Sequence, residues 1–190
     1  AVIRSVGSLV GSVREANVVK SCEVSAKNLI ESICLVENIG GLVGTVSGDV
    51  NEFADCSVSS SLRIDSESKL YEVGAFVGDD NSKDSSYTNC ATSGTMAVKG
   101  NFCYFIGGFV GCVEDSSLFE SCHASVDISL EECVNIYCYA YDVGGFVGSM
   151  DGHNDYFNCY STGAVSAHTA MYLSDAGGFA GDSSCCGHNT

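Results

Sequence analysis

The chain has 190 residues, 45% apolar and 17% charged, a balance that supports one folded domain with a sizeable core and excludes wholesale disorder. Eight basic against 24 acidic residues give a net charge of −16, so nucleic acid and anionic membrane surfaces are not expected partners. Proline is absent, which excludes Pro-rich linkers, and no apolar run approaches the roughly 20 residues that span a bilayer. The chain opens on Ala with no cationic, apolar leader and is read as a mature product, a domain, or a part of something longer.

One hexapeptide recurs along the chain. It begins as Val6-Gly7-Ser8-Leu9-Val10-Gly11 and returns as Ile39-Gly40-Gly41-Leu42-Val43-Gly44 and Val73-Gly74-Ala75-Phe76-Val77-Gly78. Further copies start at Ile106, Val143 and Ala176, so the steps between first glycines are 33, 34, 33, 37 and 33 residues. A cysteine follows the last glycine of five copies by 11 or 12 residues: Cys22, Cys56, Cys90, Cys122 and Cys159. A more variable segment precedes each hexapeptide, as in Asn135-Ile136-Tyr137-Cys138-Tyr139-Ala140-Tyr141. Each unit therefore holds two or three apolar runs of strand length, bounded by Gly, Ser, Asn and Asp. No stretch sustains a helical period with caps. A unit of this size buries a core only by stacking on its neighbours, each strand pairing with its counterpart one turn along. The predicted fold is all-β, a single parallel β-solenoid of about five rungs over residues 1–190.

The Gly-Gly-Phe-Val-Gly core and the following Asn158-Cys159-Tyr160-Ser161-Thr162-Gly163-Ala164-Val165 resemble the GLUG-motif repeats of bacterial surface proteins. Gly41-Leu42-Val43-Gly44 matches the Gly-Leu-(any)-Gly core that names that family. Glu23, Ser57 and His123, each directly after its cysteine, depart from the pattern. The resemblance implies a role in large secreted adhesins, or as a non-catalytic part of IgA-specific metallopeptidases, and supplies no catalytic residues.

Leu9, Leu42, Phe76, Phe109, Phe146 and Phe179 are expected to stack as a core ladder along the solenoid axis. The five recurring cysteines form a second ladder, read as buried structural thiols, with rung-to-rung disulfides as the alternative. Outside the ladder, Cys103 with Cys112 and Cys133 with Cys138 are candidate disulfides. Paired C-x₂-C elements are lacking, so no metal centre is expected, and Cys185-Cys186-Gly187-His188 reads as a frayed terminus. Histidines at 123, 153, 168 and 188 occupy unrelated repeat positions and suggest neither a ligand set nor a nucleophilic dyad.

Acidic residues cluster after the hexapeptide: Asp49, Asp79-Asp80, Glu114-Asp115, Asp151 with Asp155, and Asp182. Stacking brings them into a row, expected as a solvated edge, with Ca²⁺ binding as the alternative and no other cofactor. Tyr71, Phe102, Tyr104, Tyr139, Tyr141 and Tyr172 lie three or five residues before a first glycine, and Tyr137 continues the alternation. Same-parity positions share a strand face, so the stripe is either core or, if exposed, a stacking platform for sugars; core is the expectation. The tyrosines 71, 104, 137, 139, 141 and 172 are the candidate ligand-binding residues.

Neither end reads as a capping repeat, which suggests a segment of a longer solenoid or chains stacking end to end. The expected function is non-enzymatic and structural: an extracellular or cell-surface stalk, adhesin segment or filament subunit. A binding module for carbohydrate or a host protein is the second reading. A polysaccharide-active enzyme is the third, disfavoured by how thinly the eight basic residues are spread.

Overall fold

The computed structural model describes residues 2–133, 138–168 and 171–183. Among these residues every regular element is a strand, and all strand pairs are parallel, so the molecule is an all-β parallel solenoid of about five turns. Turns begin at Val2, Leu35, Lys69, Phe102, Cys138 and Met171. The register follows the hexapeptide: Val6 pairs Ile39, Ile39 pairs Val73, Val73 pairs Ile106, Ile106 pairs Val143 and Val143 pairs Ala176.

Each turn visits four sheets. Sheet 1 holds the segment before the hexapeptide: Val2–Gly7, Leu35–Gly40, Lys69–Gly74, Phe102–Gly107, Cys138–Gly144 and Met171–Gly177. Sheet 2 starts inside the hexapeptide: Val10–Arg14, Val43–Gly48, Val77–Ser82, Val110–Val113, Val147–Met150 and Ala180–Asp182. Sheet 3 has short strands: Val18–Lys20, Glu52–Ala54, Ser85–Thr88, Ser117–Glu120 and Asp155–Phe157. Sheet 4 has the longest strands, Glu23–Ser32, Ser57–Ser66, Ala91–Lys99 and His123–Leu130, followed by the short Tyr160–Ser161 and Val165–Ala167. The surplus of the 37-residue unit falls between Leu130 and the next sheet 1 strand, where Cys133 and Cys138 form a disulfide.

The corners follow from the residues that stand there. Between sheets 3 and 4 the residue before each ladder cysteine (Ser21, Asp55, Asn89, Ser121, Asn158) has φ of 53–55°, a left-handed turn that short polar side chains tolerate best. Sheets 1 and 2 meet backbone against backbone. A Cβ on Gly74 would lie 1.9 Å from the Val77 carbonyl oxygen, and one on Gly111 would lie 2.6 Å from the Val73 nitrogen. Only glycine permits that approach, which brings the two sheets together in a crease.

The interior divides into two apolar clusters. One lies among sheets 2 and 3 and the start of sheet 4; the other lies between sheet 1 and the rest of sheet 4. In the first, Phe76, Phe109, Phe146 and Phe179 stack with ring centroids 4.6–4.8 Å apart. Leu42 continues that column and is buried, whereas Leu9, on the first turn, is 50% exposed because one side of its column is uncovered. A parallel column of Phe53, Tyr87, Phe119 and Tyr156 stacks at 4.6–4.9 Å and meets the first edge to face. Full burial of each ring contributes roughly 1.5–3 kcal/mol.

The ladder cysteines are free thiols; Cys56, Cys90 and Cys122 are buried, and Cys22 and Cys159 half-buried. Each of the last four donates to two carbonyls, one two residues back and one in the preceding turn; Cys56 reaches Ala54 at 3.2 Å and Val19 at 3.5 Å. These bonds direct the thiol hydrogens to backbone carbonyls, and no disulfide joins the ladder cysteines. Burial raises the Cys56 thiol to about 11, so it is inert as a nucleophile at neutral pH.

Candidate functional site

The outer face of sheet 1 and the crease beside it carry the side chains with chemistry to offer. Sheet 1 does not alternate simply. The residue two before each first glycine (Ser5, Asn38, Glu72, Phe105, Asp142, Asp175) has φ of 52–59° and drops out of the ladder pairing. This kink shifts the phase. Residues one and four before the glycine point inward, as Val73 and Leu70 or Ile106 and Cys103 do, while those three and five before it point outward.

The aromatic stripe is therefore corrected from core to surface. Tyr71, Tyr104 and Tyr141 form one outward column, with centroids 4.7 and 5.1 Å apart. Phe102 and Tyr139 stack at 5.3 Å in a second column, and Tyr139 lies 6.2 Å from Tyr141. Tyr172 ends the stripe, 59% exposed, and Lys69 places its ammonium 5.7 Å from the Phe102 centroid. Tyr137 lies outside the described residues, as do Cys185, Cys186 and His188.

The crease receives a second set. Sheet 2 is also kinked, at the last glycine of the hexapeptide: Val77 pairs Val110 and Asp79 pairs Cys112, with the glycines skipped. Val77 and Asp80 accordingly face the core, and Asp79 turns out toward the kink residues of sheet 1. Asn38 donates through Nδ2 to Thr45 Oγ1 at 3.1 Å and to Asp79 Oδ2 at 3.0 Å. Arg4, Glu37, Asn38, Tyr71, Glu72 and Asp79 line a cavity of about 330 Å³, and the Arg4 guanidinium is paired with Glu37. Across the next step of the ladder, donor atoms of Asp79, Cys112 and Glu114 lie within 4.8 Å of one another.

Acidic groups are concentrated and partly desolvated in this crease, which favours their protonated forms. Burial, then Glu114 and Glu37, raise the Glu72 carboxyl to about 7. Burial, then Glu72, Glu114 and Asp80, raise Asp79 to about 8 against the opposing Asn38 hydrogen bond. Burial and the same acids hold the Cys112 thiol well above its ordinary value. Further along, burial with Asp182 and Asp175 raises Asp142 to about 6.

The acidic residues do not form the single solvated row that their spacing suggested. Asp49, Glu114, Asp151 and Asp155 are exposed, Asp79 and Asp182 line the crease, and Asp80 is fully buried in the core. The pairing of Cys103 with Cys112 is likewise corrected: both are free, Cys103 inside the second apolar cluster and Cys112 on the crease. The expected disulfide between Cys133 and Cys138 is formed. The sequence carried a signal for the Asp79–Cys112 meeting. Each follows the last glycine of its hexapeptide by one residue, so both occupy one repeat position.

Comparison of the chain with protein-family models, with curated proteins and with solved structures yields no match.

Proposed function

We propose that this chain is a non-enzymatic structural repeat protein of the extracellular or cell-surface space, a stalk, adhesin segment or filament subunit. The observation that carries this reading is the uninterrupted register from turn to turn. All four sheets continue along the axis, and the buried glycine, phenylalanine and cysteine positions repeat in step with them. Such a stack maintains distance and direction, its stability being a sum of turn and neighbour terms. The Cys133–Cys138 disulfide supports a compartment in which disulfides persist. Its axial partners are flanking turns of a longer solenoid or a second copy stacked end to end.

The exposed aromatic stripe supports a second reading, a binding module for carbohydrate or a host protein. Two columns of flat rings at ladder spacing offer faces for sugar stacking. Light scattering, negative-stain microscopy and a glycan array on the purified chain separate the two. The structural reading expects protease-resistant rods and no saturable glycan binding. Saturable binding lost in Tyr104→Ala and Tyr141→Ala replaces it with the second reading, and polysaccharide turnover overturns both.

A further inference from the structure

Asp79 and Cys112 are paired across adjacent strands of sheet 2, and Glu114 follows on the same side as Cys112. Two carboxylates and a thiol thus converge on one point of the crease, although Asp79 and Cys112 are 33 residues apart in the chain. Their donor atoms, within 4.8 Å of one another, need to close by no more than about 1.5 Å to reach the roughly 3.3–3.8 Å spacing implied by tetrahedral bonds of roughly 2.0–2.3 Å.

A second observation singles out this cluster from an ordinary acidic patch. Asp79 is 5% exposed, and its Oδ1 is buried without a hydrogen-bond partner, while Oδ2 accepts from Asn38. A buried carboxylate oxygen that no protein donor meets is costly unless a proton or a cation meets it. Glu72 adds a further carboxylate beside the cluster, and the basic residue of this stretch, Arg4, is engaged by Glu37. The other members of the sheet 2 column are Ser12, Thr45, Ser149 and Asp182; Asp182 lies two turns beyond Cys112 with Ser149 between them, so the thiol and its two carboxylates meet at one step of the ladder.

We propose that Asp79, Cys112 and Glu114 form a binding site for a divalent transition metal of the zinc class, with the fourth position open to water or Glu72. The sulfur donor selects zinc-like ions over Ca²⁺ and Mg²⁺, which take oxygen ligands. The thiol binds as thiolate and releases its proton to solvent. The metal ties the third turn to the fourth on the outer side of the solenoid, opposite the buried aromatic columns. This inference is independent of whether the chain is a stalk or a binding module.

The test is titration of the reduced, intact chain with Co²⁺, followed by absorption, and then displacement by Zn²⁺. The expected result is one equivalent bound, with a sulfur-to-cobalt charge-transfer band that Zn²⁺ abolishes and excess Ca²⁺ does not. Cys112→Ser places in the column the residue found at 12 and 149, so it is expected to keep the strand signal in circular dichroism and lose the band. Asp79→Asn and Glu114→Gln are expected to weaken binding by at least about tenfold. A band that persists in Cys112→Ser, displacement by Ca²⁺, or no binding at millimolar Co²⁺ overturns the site. If Cys112→Ser does not fold, Asp79→Asn decides: unchanged Co²⁺ affinity overturns the proposal, and weakened affinity with an intact strand signal upholds it.

Discussion

Tyr87 and Tyr156 stand in one column of sheet 3, two turns apart, and their hydroxyls meet opposite fates. Tyr87 donates to Asp80 Oδ2 at 2.8 Å, and Ser117 donates to the same oxygen at 3.0 Å. Ser82 completes the group, donating through its backbone nitrogen and its hydroxyl to Asp80 Oδ1. The Tyr156 hydroxyl oxygen is buried with no partner. The difference arises on sheet 2, where Asp80 in the third turn is replaced in register by Val113 and then Met150. A carboxylate inside the core is thus supported by donors from its own turn and the next. The fifth turn keeps the tyrosine without the acceptor. Whether a buried polar group finds a partner in this solenoid is decided locally, by its own turn and the next, as nearest-neighbour stacking implies.

This contrast breaks most sharply at Asp80. Asp80→Val places a valine like that at 113 in the column but orphans Tyr87 and Ser117, and is expected to lower stability by about 3 kcal/mol in chemical denaturation. Adding Tyr87→Phe, the residue type found at 53 and 119, is expected to restore more than half of that loss. If the two losses simply add, the pair is not a coupled unit. Tyr87→Phe alone leaves Asp80 Oδ2 with Ser117 and is expected to lower stability by about 2 kcal/mol. Tyr156→Phe is the counterpart and removes a hydroxyl with nothing to lose. It is expected to leave stability unchanged or raise it by up to about 1 kcal/mol, and a clear loss would show that Tyr156 has a partner after all.

The smallest effect concerns an acid in the crease rather than the core. Asp142 is raised from its ordinary 3.8 to about 6, by burial first and then by Asp182 and Asp175. Because the folded state holds this proton more tightly, the stabilising contribution is present in full below the unfolded value. It is lost as pH rises through the folded one. Thermal melts between pH 4 and 7 are expected to show the wild type losing stability across pH 4–6 more than Asp142→Asn does. Equal slopes would mean that Asp142 titrates normally.

The repeat makes the architecture legible in the sequence. Gly7, Gly40, Gly74, Gly107, Gly144 and Gly177 mark the turns, and Val6 to Ala176 pair as their spacing implies. The phenylalanine column and the cysteine column are equally readable, because a parallel stack brings like positions together. The aromatic stripe faces outward, against its spacing, for a definite reason. Alternation by twos assumes an unkinked strand, and Glu72, Phe105 and Asp142 adopt left-handed backbone in the middle of sheet 1. Glutamate and phenylalanine carry no propensity that announces such a conformation. It is imposed by packing against the glycines of sheet 2, such as Gly111, whose added Cβ would lie 2.7 Å from the Glu72 carbonyl carbon.

The sequence by itself determined the period, the strand content, the parallel register and the columns that result from it, since these depend only on which residues recur and how far apart. The tertiary structure alone decided which way the side chains beside the glycines face. Two kinks, one in sheet 1 and one in sheet 2, turn Tyr104 to the surface, Asp80 into the core and Asp79 into the crease with Cys112 and Glu114. Those directions depend on backbone meeting backbone across a corner, a contact that the short polar residues Ser5, Asn38, Asp142 and Asp175 mark in part and that Glu72 and Phe105 do not mark at all.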